Sequence, residues 1–210
     1  DRSLTLAPAA GPERYRALCL RAHVDALQGR HAQAGRGFAL ADALPDGGEP
    51  MRRNSAPICR TAQAEAAVLA GRHAHALDLL QPLADQPLAG PTRVGVLLVR
   101  AEAELGLGRW PAAAATAAQA EQLSRRLQAD NRWSARTGQA LMLRALAAAR
   151  QGDASAAALQ DEARQHLAAT VQPAQRWRQR AEGRDPATVT DGTPPAPPAA
   201  ASASRTAAGP

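Results

Sequence analysis

Two histidines in one short segment, His73 and His75, come nearest to a metal site in this chain. Imidazole is a common zinc ligand, but residues two positions apart on a helix do not share a face. No carboxylate or cysteine pattern completes a ligand set. His73 also stands two residues after a glycine, as does His31, and Trp110 holds the same place in a third segment. A position that histidine and tryptophan share is typical of packing, so we predict no metal site.

Motifs that carry catalysis are missing from the sequence. It contains no Gly-rich phosphate loop, no His-Glu-x-x-His, no Cys-x-x-Cys and no kinase motif. We therefore predict that the chain is not an enzyme in its own right, and we expect no cofactor.

Arginine and tryptophan alternate near the C-terminus, at Arg176, Trp177, Arg178 and Arg180. Such a cluster is typical of nucleic-acid contacts, in which bases stack on aromatic rings. Arginine at the end of a helix also complements the helix dipole, and this structural interpretation is favoured. The net charge of +6, carried by 25 basic residues that are all arginine, is interpreted as a solvated helical surface.

The two cysteines, Cys19 and Cys59, fall in first helices of neighbouring repeat units and could be neighbours in a stack. They do not share a repeat position, because they stand ten and twelve residues before their turn glycines. We predict two free, buried thiols in a reducing compartment. No apolar run approaches 18 residues, so no membrane span is expected. The predicted location is the cytoplasm, although the chain looks like a fragment and shows no targeting signal.

Four glycines mark four copies of one pattern, in which an alanine stands seven residues before each glycine and another stands five residues after it. Glycine adopts a positive φ at little cost and so ends a helix. Small residues at fixed offsets let two helix backbones approach closely. The pattern therefore predicts helical hairpins. Its members are Ala22, Gly29 and Ala34, then Ala64, Gly71 and Ala76, then Ala101, Gly108 and Ala113, and finally Ala145, Gly152 and Ala157.

The second helix of each predicted hairpin carries a further column, nine residues after the glycine. Phe38 and Leu80 hold it in the first two units, and it decays to Ala117 and Asp161 in the last two. This pattern resembles the tetratricopeptide repeat, whose second helix contains A-x3-F. The family's Trp and Tyr are absent from their expected places. The spacing between the glycines also exceeds the usual period of about 34, as in the long-period repeats attached to bacterial signalling proteins.

The resemblance implies a concave groove lined by the first helix of each pair, which holds segments of other proteins. The groove-facing positions would lie thirteen, ten, six and three residues before each turn glycine. The thirteenth position holds Arg16, Ile58, Gly95 and Gln139, and the sixth holds His23, Glu65, Glu102 and Leu146. A groove with a basic end and two central carboxylates would suit a peptide with positive charge at mid-length. We predict Arg16, His23, Glu65, Glu102 and Gln139 as its binding residues, although solvated polar side chains would give the same pattern.

Local signals divide the chain into elements. Leu20, Val24 and Leu27 recur at helical spacing and predict the apolar face of the first helix. Pro82 should kink or end the helix that contains it. The segment 92–107 is the most apolar helix, which predicts a place in the middle of the stack. The segment 175–182 is interpreted as a short capping helix over the end of the stack.

The predicted fold is all-α, an α-solenoid of about four antiparallel helix pairs with a disordered C-terminal tail. Residues 1–12 are interpreted as a linker or the end of a preceding repeat, 13–182 as the repeat domain and 183–210 as the tail. With 2% aromatic content the core should be thin and built from Ala, Leu and Val.

The hypothesis for function is a protein-interaction module or scaffold with a protein or peptide partner. The resemblance implies that it belongs to a larger bacterial signalling or regulatory protein, such as the non-catalytic part of a Ser/Thr protein kinase. A module linked to transcription or to nucleic acid, using the arginine-rich surface, is the alternative. It rests on the net charge.

Overall fold

The computed structural model describes residues 12–44, 50–172 and 175–183. Within these ranges the chain forms nine α-helices and one turn of 3₁₀-helix, and no strand. The bounds are α1 Pro12–Leu27, α2 His31–Asp42, α3 Pro50–Leu69, α4 His73–Leu80, the 3₁₀ turn Gln81–Leu83, α5 Gly90–Gly106, α6 Trp110–Gln128, α7 Ala135–Arg150, α8 Ala156–Thr170 and α9 Arg176–Ala181. The all-α prediction is confirmed. The segments 1–11, 45–49, 173–174 and 184–210 lie outside the described residues.

The four predicted hairpin turns all form with the same geometry. Their glycines have φ values between 70° and 76°, the left-handed region that glycine enters without a Cβ penalty. At the second turn the N–H of Arg72 bonds to the Ala67 carbonyl and the N–H of Gly71 bonds to that of Val68. These two hydrogen bonds close a Schellman motif, which satisfies carbonyls at the end of α3. Each turn therefore sends the chain back alongside the helix that precedes it.

Packing between helices builds a stack of four pairs. The pairs are α1 with α2, α3 with α4, α5 with α6, and α7 with α8. The first helices also contact one another in succession, α1 with α3, α3 with α5, and α5 with α7. This arrangement is an α-solenoid, in which each unit touches only its neighbours. The first helices consequently share one continuous face.

Alanines make the close contacts inside these pairs, as the spacing predicts. The alanines seven residues before each turn glycine are all buried, and so are the partners Ala34, Ala76 and Ala113. Ala157 is exposed and does not take part in the close packing that its column predicts. The reason is the longer fourth turn, because α8 begins four residues after Gly152 while α2, α4 and α6 begin two residues after their glycines. The buried face of α8 therefore shifts toward Ala163 and Leu167.

The apolar face predicted for α1 is wrong. Leu20, Val24 and Leu27 are exposed, and the buried face of α1 carries Tyr15, Cys19, Ala22 and Ala26 instead. In later units the position of Leu20 faces the preceding helix pair. It holds Val99 in the third unit and Leu143 in the fourth, and both are buried. No described helix pair precedes α1, so the same position faces solvent there.

Three other expectations are confirmed. Helix α4 ends at Leu80, and Pro82 lies in the 3₁₀ turn that follows. Helix α5, the predicted central element, is buried over much of its length. The terminal helix α9 packs on α8, the last helix of the stack. Within the described ranges, none of the helices is both long and apolar enough to cross a bilayer.

Candidate functional site

The shared face of the first helices encloses a groove of about 520 Å³. Its floor comes from α3 and α5, through Thr61, Leu98 and Val99 among others, and its ends come from α1 and α7. None of the groove-lining residues belongs to α2, α4, α6 or α8. The groove therefore combines apolar side chains, such as Leu98 and Val99, with polar and charged ones, such as Thr61 and Glu65.

Most of the predicted binding residues meet in this groove. His23, Glu65, Glu102 and Gln139 line it, together with Ile58 and Gly95. Arg16 lies beyond the α1 end and lines an adjoining cavity of about 390 Å³, which shares His23 and Ile58 with the groove. Leu146 lines a further cavity toward the turns. The structure thus brings these side chains together on one face, and their role in binding stays a prediction.

Two carboxylates occupy the middle of the groove. Glu65 on α3 and Glu102 on α5 hold the same repeat position in adjacent units, so the stacking of the units places them side by side. The Nε2 atom of His23 on α1 lies 3.0 Å from the Oε2 atom of Glu65. The side chain of Glu102 is only 8% exposed, whereas that of Glu65 is 21% exposed. A carboxylate as buried as Glu102 needs a counter-charge.

That counter-charge comes from the terminal helix α9, which the sequence did not place in the groove. The Nη1 atom of Arg176 donates to Glu102 Oε1 at 2.6 Å, and its Nη2 atom donates to Glu102 Oε2 at 3.1 Å and to Glu65 Oε1 at 2.9 Å. Arg180 donates to Glu102 Oε1 at 2.9 Å. Both guanidinium groups also lie over the ring of Trp177. One arginine thereby joins the second and third units of the stack.

The charges in this network shift one another's pKa values. Burial alone would raise the pKa of Glu65, but the hydrogen bond from His23 and the charge of Arg176 outweigh it, so the pKa lies below its ordinary value. Burial alone would lower the pKa of Arg176, but Glu102 and Glu65 raise it above its ordinary value. The arginine and the Glu65 carboxylate are therefore both charged at neutral pH.

Arg176 also divides the concave face. A second cavity of about 530 Å³ lies toward the hairpin turns and is lined by Leu105, Trp110 and Leu146. Arg176 and Glu102 line both this cavity and the 520 Å³ groove. The ion pair between them is consequently a bridge across a longer channel.

Below the α1 end of the groove, Cys19 and Cys59 form a disulfide, with 5.5 Å between their Cα atoms. The prediction of two free thiols is therefore wrong, although both residues are buried as expected. The two cysteines differ by two repeat positions, but α1 and α3 pack side by side and bring them within bonding distance. The cross-link ties the first helix pair to the second.

Of the histidines in the predicted packing column, His73 on α4 lies between its own helix pair and α5 of the next pair. The ring of His73 lies against Gly106, where a Cβ atom would come within 2.4 Å of the ring. The Nδ1 atoms of His31 and His73 are buried and make no hydrogen bond. In the described part of the chain, no group of three or more His, Cys, Asp or Glu side chains is arranged to hold a metal ion. The surroundings of His73 therefore agree with the packing interpretation.

The arginine-rich C-terminal cluster is largely engaged within the molecule. Arg176 and Arg180 bind groove carboxylates, and Arg178 binds Glu182 at 3.0 Å. A sequence signal for this arrangement existed, because two arginines four residues apart on a helix share a face and could meet a pair of acidic residues. Only the three-dimensional stack shows that this pair is Glu65 and Glu102.

Comparison with protein-family models, with curated proteins and with solved structures finds no match to this chain. The function has to be inferred from the groove itself.

Proposed function

We propose that this chain is a protein-interaction module of the tetratricopeptide type, which holds an extended or helical segment of a partner protein on its concave face. The observation that carries the proposal is the groove of about 520 Å³, in which apolar side chains of α3 and α5 surround a carboxylate pair. Apolar area supplies affinity and a few fixed polar groups supply orientation.

The tetratricopeptide assignment is supported by the hairpin geometry. The four turn glycines have positive φ, seven of the eight column alanines are buried, and the A-x3-F match at Ala34 and Phe38 lies in the core. The long period and the missing aromatic residues of the first helix set this chain apart from the standard pattern.

We further propose that the module serves as a scaffold in a larger bacterial signalling or regulatory protein. A non-catalytic part of a Ser/Thr protein kinase fits this role, and the proposal rests on fold-level resemblance. The nucleic-acid alternative, which rests on the net charge, gains no support from the C-terminal arginines, because Arg176, Arg178 and Arg180 bind carboxylates of the same chain.

The disulfide bears on the compartment. Disulfides persist in oxidising compartments and are rare in the cytosol. The Cys19–Cys59 bond therefore favours an oxidising compartment over the cytoplasm that the sequence led us to expect. Acid lysis of the native cell, followed by alkylation of the denatured chain at neutral pH, tests this choice, because a disulfide excludes both alkyl groups and a reduced pair accepts two.

A pair of glycine substitutions tests the groove. Peptides selected from a random phage library on the wild-type chain would be measured on Gly95→Gln and Gly35→Gln. Gly95 lines the groove, and the nearest neighbour of an added Cβ is the flexible end of Arg136. Gly35 lies on α2, is exposed and has open space around it. Both changes replace a helical glycine with a better helix former, so stability should not fall in either case.

The selected peptides should bind Gly95→Gln at least about tenfold more weakly and Gly35→Gln as tightly as wild type, a difference of about 1.4 kcal/mol in binding free energy. Equal losses in both variants, or none in Gly95→Gln, would show that the groove is not the binding surface.

A further inference from the structure

The most unusual contact of the molecule is the one between its last described helix and the middle of the groove. Arg176 reaches carboxylates 111 and 74 residues earlier in the chain, and Arg180 reaches one 78 residues earlier. A helix that served only to cover the end of the stack would need apolar contacts with α8. Helix α9 makes such contacts through Trp177 and Ala181, and in addition it sends two cations toward α3 and α5.

These ion pairs are a poor way to hold a helix in place. Removing two charges from water costs about as much as their attraction returns, so a buried ion pair adds less than apolar packing of the same volume. Helix α9 has six residues and buries only two apolar side chains, Trp177 and Ala181. A helix this short is unstable without its tertiary contacts, so it belongs to the easily opened part of a fold.

An occupant that replaces α9 must bring the same chemistry. Glu102 is nearly buried, so a partner without a cation would leave it without a counter-charge, at high cost. Arg176 satisfies both oxygens of Glu102 and one of Glu65 through a single planar group. Arginine can make this forked contact, whereas lysine offers one point charge.

We propose that α9 is an intramolecular ligand of the groove, and that an arginine-bearing segment of a partner protein displaces it by binding Glu65 and Glu102 in place of Arg176. This inference rests on the proposed function of the groove and adds the chemical class of the partner. Displacement also removes the bridge between the cavities of about 520 and 530 Å³, which gives the partner the full length of the concave face.

The internal ligand sets a threshold for binding. A segment tethered to its own site competes at an effective concentration of about millimolar, without any other contact. The apparent affinity of a partner is lowered by the fraction of molecules in which the groove is open. A partner segment with one arginine therefore binds weakly, and a segment that matches both Arg176 and Arg180 competes best.

The probe for this proposal is a fluorescein-labelled synthetic peptide with the sequence of residues 175–182, QRWRQRAE. Anisotropy titrations compare the wild-type full chain with the full chain carrying Arg176→Gln and Arg180→Gln. The double variant should bind the probe at least about tenfold more tightly than wild type. Adding Glu102→Gln to the double variant should abolish that gain, and a probe with lysine in place of arginine should bind several-fold more weakly.

A second measurement uses the wild-type chain and does not depend on the folding of any variant. Hydrogen exchange is followed with the probe at saturating concentration. The amides of Arg176–Ala181 should exchange faster than without the probe, while those of Ala135–Arg150 should not change.

Equal probe affinity in wild type and the double variant, or unchanged exchange of α9 with the probe bound, would overturn the proposal. The proposed function is tested separately. One outcome is that phage-selected peptides bind Gly95→Gln more weakly than wild type, bind Glu102→Gln as tightly as wild type and leave the exchange of α9 unchanged. The groove is then a binding site, and α9 is only a structural cap.

Discussion

The two ends of the stack differ in whether the apolar positions of their first helices are covered. At the N-terminal end, the repeat positions that meet a preceding pair are open, and Leu20 is 63% exposed. In the fourth unit Leu143 holds the same position, nine residues before the turn glycine, and is fully buried. At this end α9 packs on α8, the second helix of the last pair. The comparison teaches that burial in a solenoid depends on the neighbouring unit as much as on residue type.

The cores of the two ends differ as well. The cluster between α1, α2 and α3 contains Tyr15, Phe38 and several alanines, and it surrounds the disulfide. The cluster around α7 contains Leu141, Met142, Leu143, Leu167 and Trp177. Alanine buries little apolar area, so apolar packing stabilises the first pair less than the last pair. The disulfide adds a covalent cross-link at the end of the stack where packing is weaker.

The largest expected change in the free energy of unfolding comes from replacing one of two leucines that hold the same repeat position. Leu143→Ala should lower the free energy of unfolding by about 2–5 kcal/mol, because it removes buried methyl groups and leaves a cavity. Leu20→Ala, at the same repeat position, should change it by less than about 0.5 kcal/mol. Urea unfolding followed by circular dichroism measures both. Similar losses in the two variants would mean that the α1 stripe is covered in solution.

Next comes the disulfide. Replacing Cys19 and Cys59 with alanine should cost about 2–4 kcal/mol, because the bond closes a loop with a sequence separation of 40 residues. The loss should appear in α1–α3 by hydrogen exchange and leave α7 and α8 protected. A phosphine reductant should lower the unfolding midpoint of wild type and leave that of the double variant unchanged. If the reductant does not change the unfolding midpoint of wild type, the disulfide does not contribute to stability.

A smaller effect is expected at the groove carboxylates. Glu102→Gln should cost about 1–3 kcal/mol, because it leaves Arg176 and Arg180 without their shared, nearly buried counter-charge. Glu65→Gln should cost less, because that side chain is more exposed and holds one of the two arginines. Thermal unfolding of the two variants ranks them. A larger loss of stability in Glu65→Gln than in Glu102→Gln would mean that Glu65 is the main carboxylate that holds α9.

The smallest expected effect is a pH dependence confined to the C-terminal end. Burial, together with the charge of Arg125, lowers the pKa of His166 below the ordinary value near 6.5, although Glu162 and Glu121 oppose this shift. The unfolded chain then binds more protons than the folded chain below that value, so stability should fall as pH drops through about 6.5.

A conservative variant isolates this histidine. The Nδ1 atom of His166 accepts a hydrogen bond from the Ser134 N–H at 3.1 Å, and Trp133 lies edge-on against its ring. His166→Asn keeps an acceptor but does not titrate, so its unfolding midpoint should change less between pH 7 and pH 5 than that of wild type. Identical profiles would assign the pH dependence to other groups.

Local patterns in the sequence predicted the hairpins, whereas the groove-facing positions were implied by the resemblance to the tetratricopeptide repeat. Glycine with a positive φ and alanines at fixed offsets act through the backbone, so spacing alone reveals them. The same patterns could not show which face of α1 is buried. The apolar series that begins at Leu20 has helical spacing, and the alanine column that includes Ala22 predicts a different face. Choosing between them requires knowing which helices pack on each side of α1.

Contacts between distant segments were missed for the same reason. The Cys19–Cys59 bond depends on how α1 and α3 stack, and the Arg176–Glu102 pair depends on where α9 lies after four units. Neither is encoded at a fixed spacing. The sequence did contain both partners of each contact, but not their proximity.

The central claim is that the face shared by α1, α3, α5 and α7 is the binding surface. Hydrogen exchange of the wild-type chain, with and without a phage-selected peptide, tests it most directly. We predict added protection in Pro50–Leu69 and Gly90–Gly106, and none in His31–Asp42 or Trp110–Gln128. Protection concentrated in the latter two helices would place binding on the opposite face and contradict the claim.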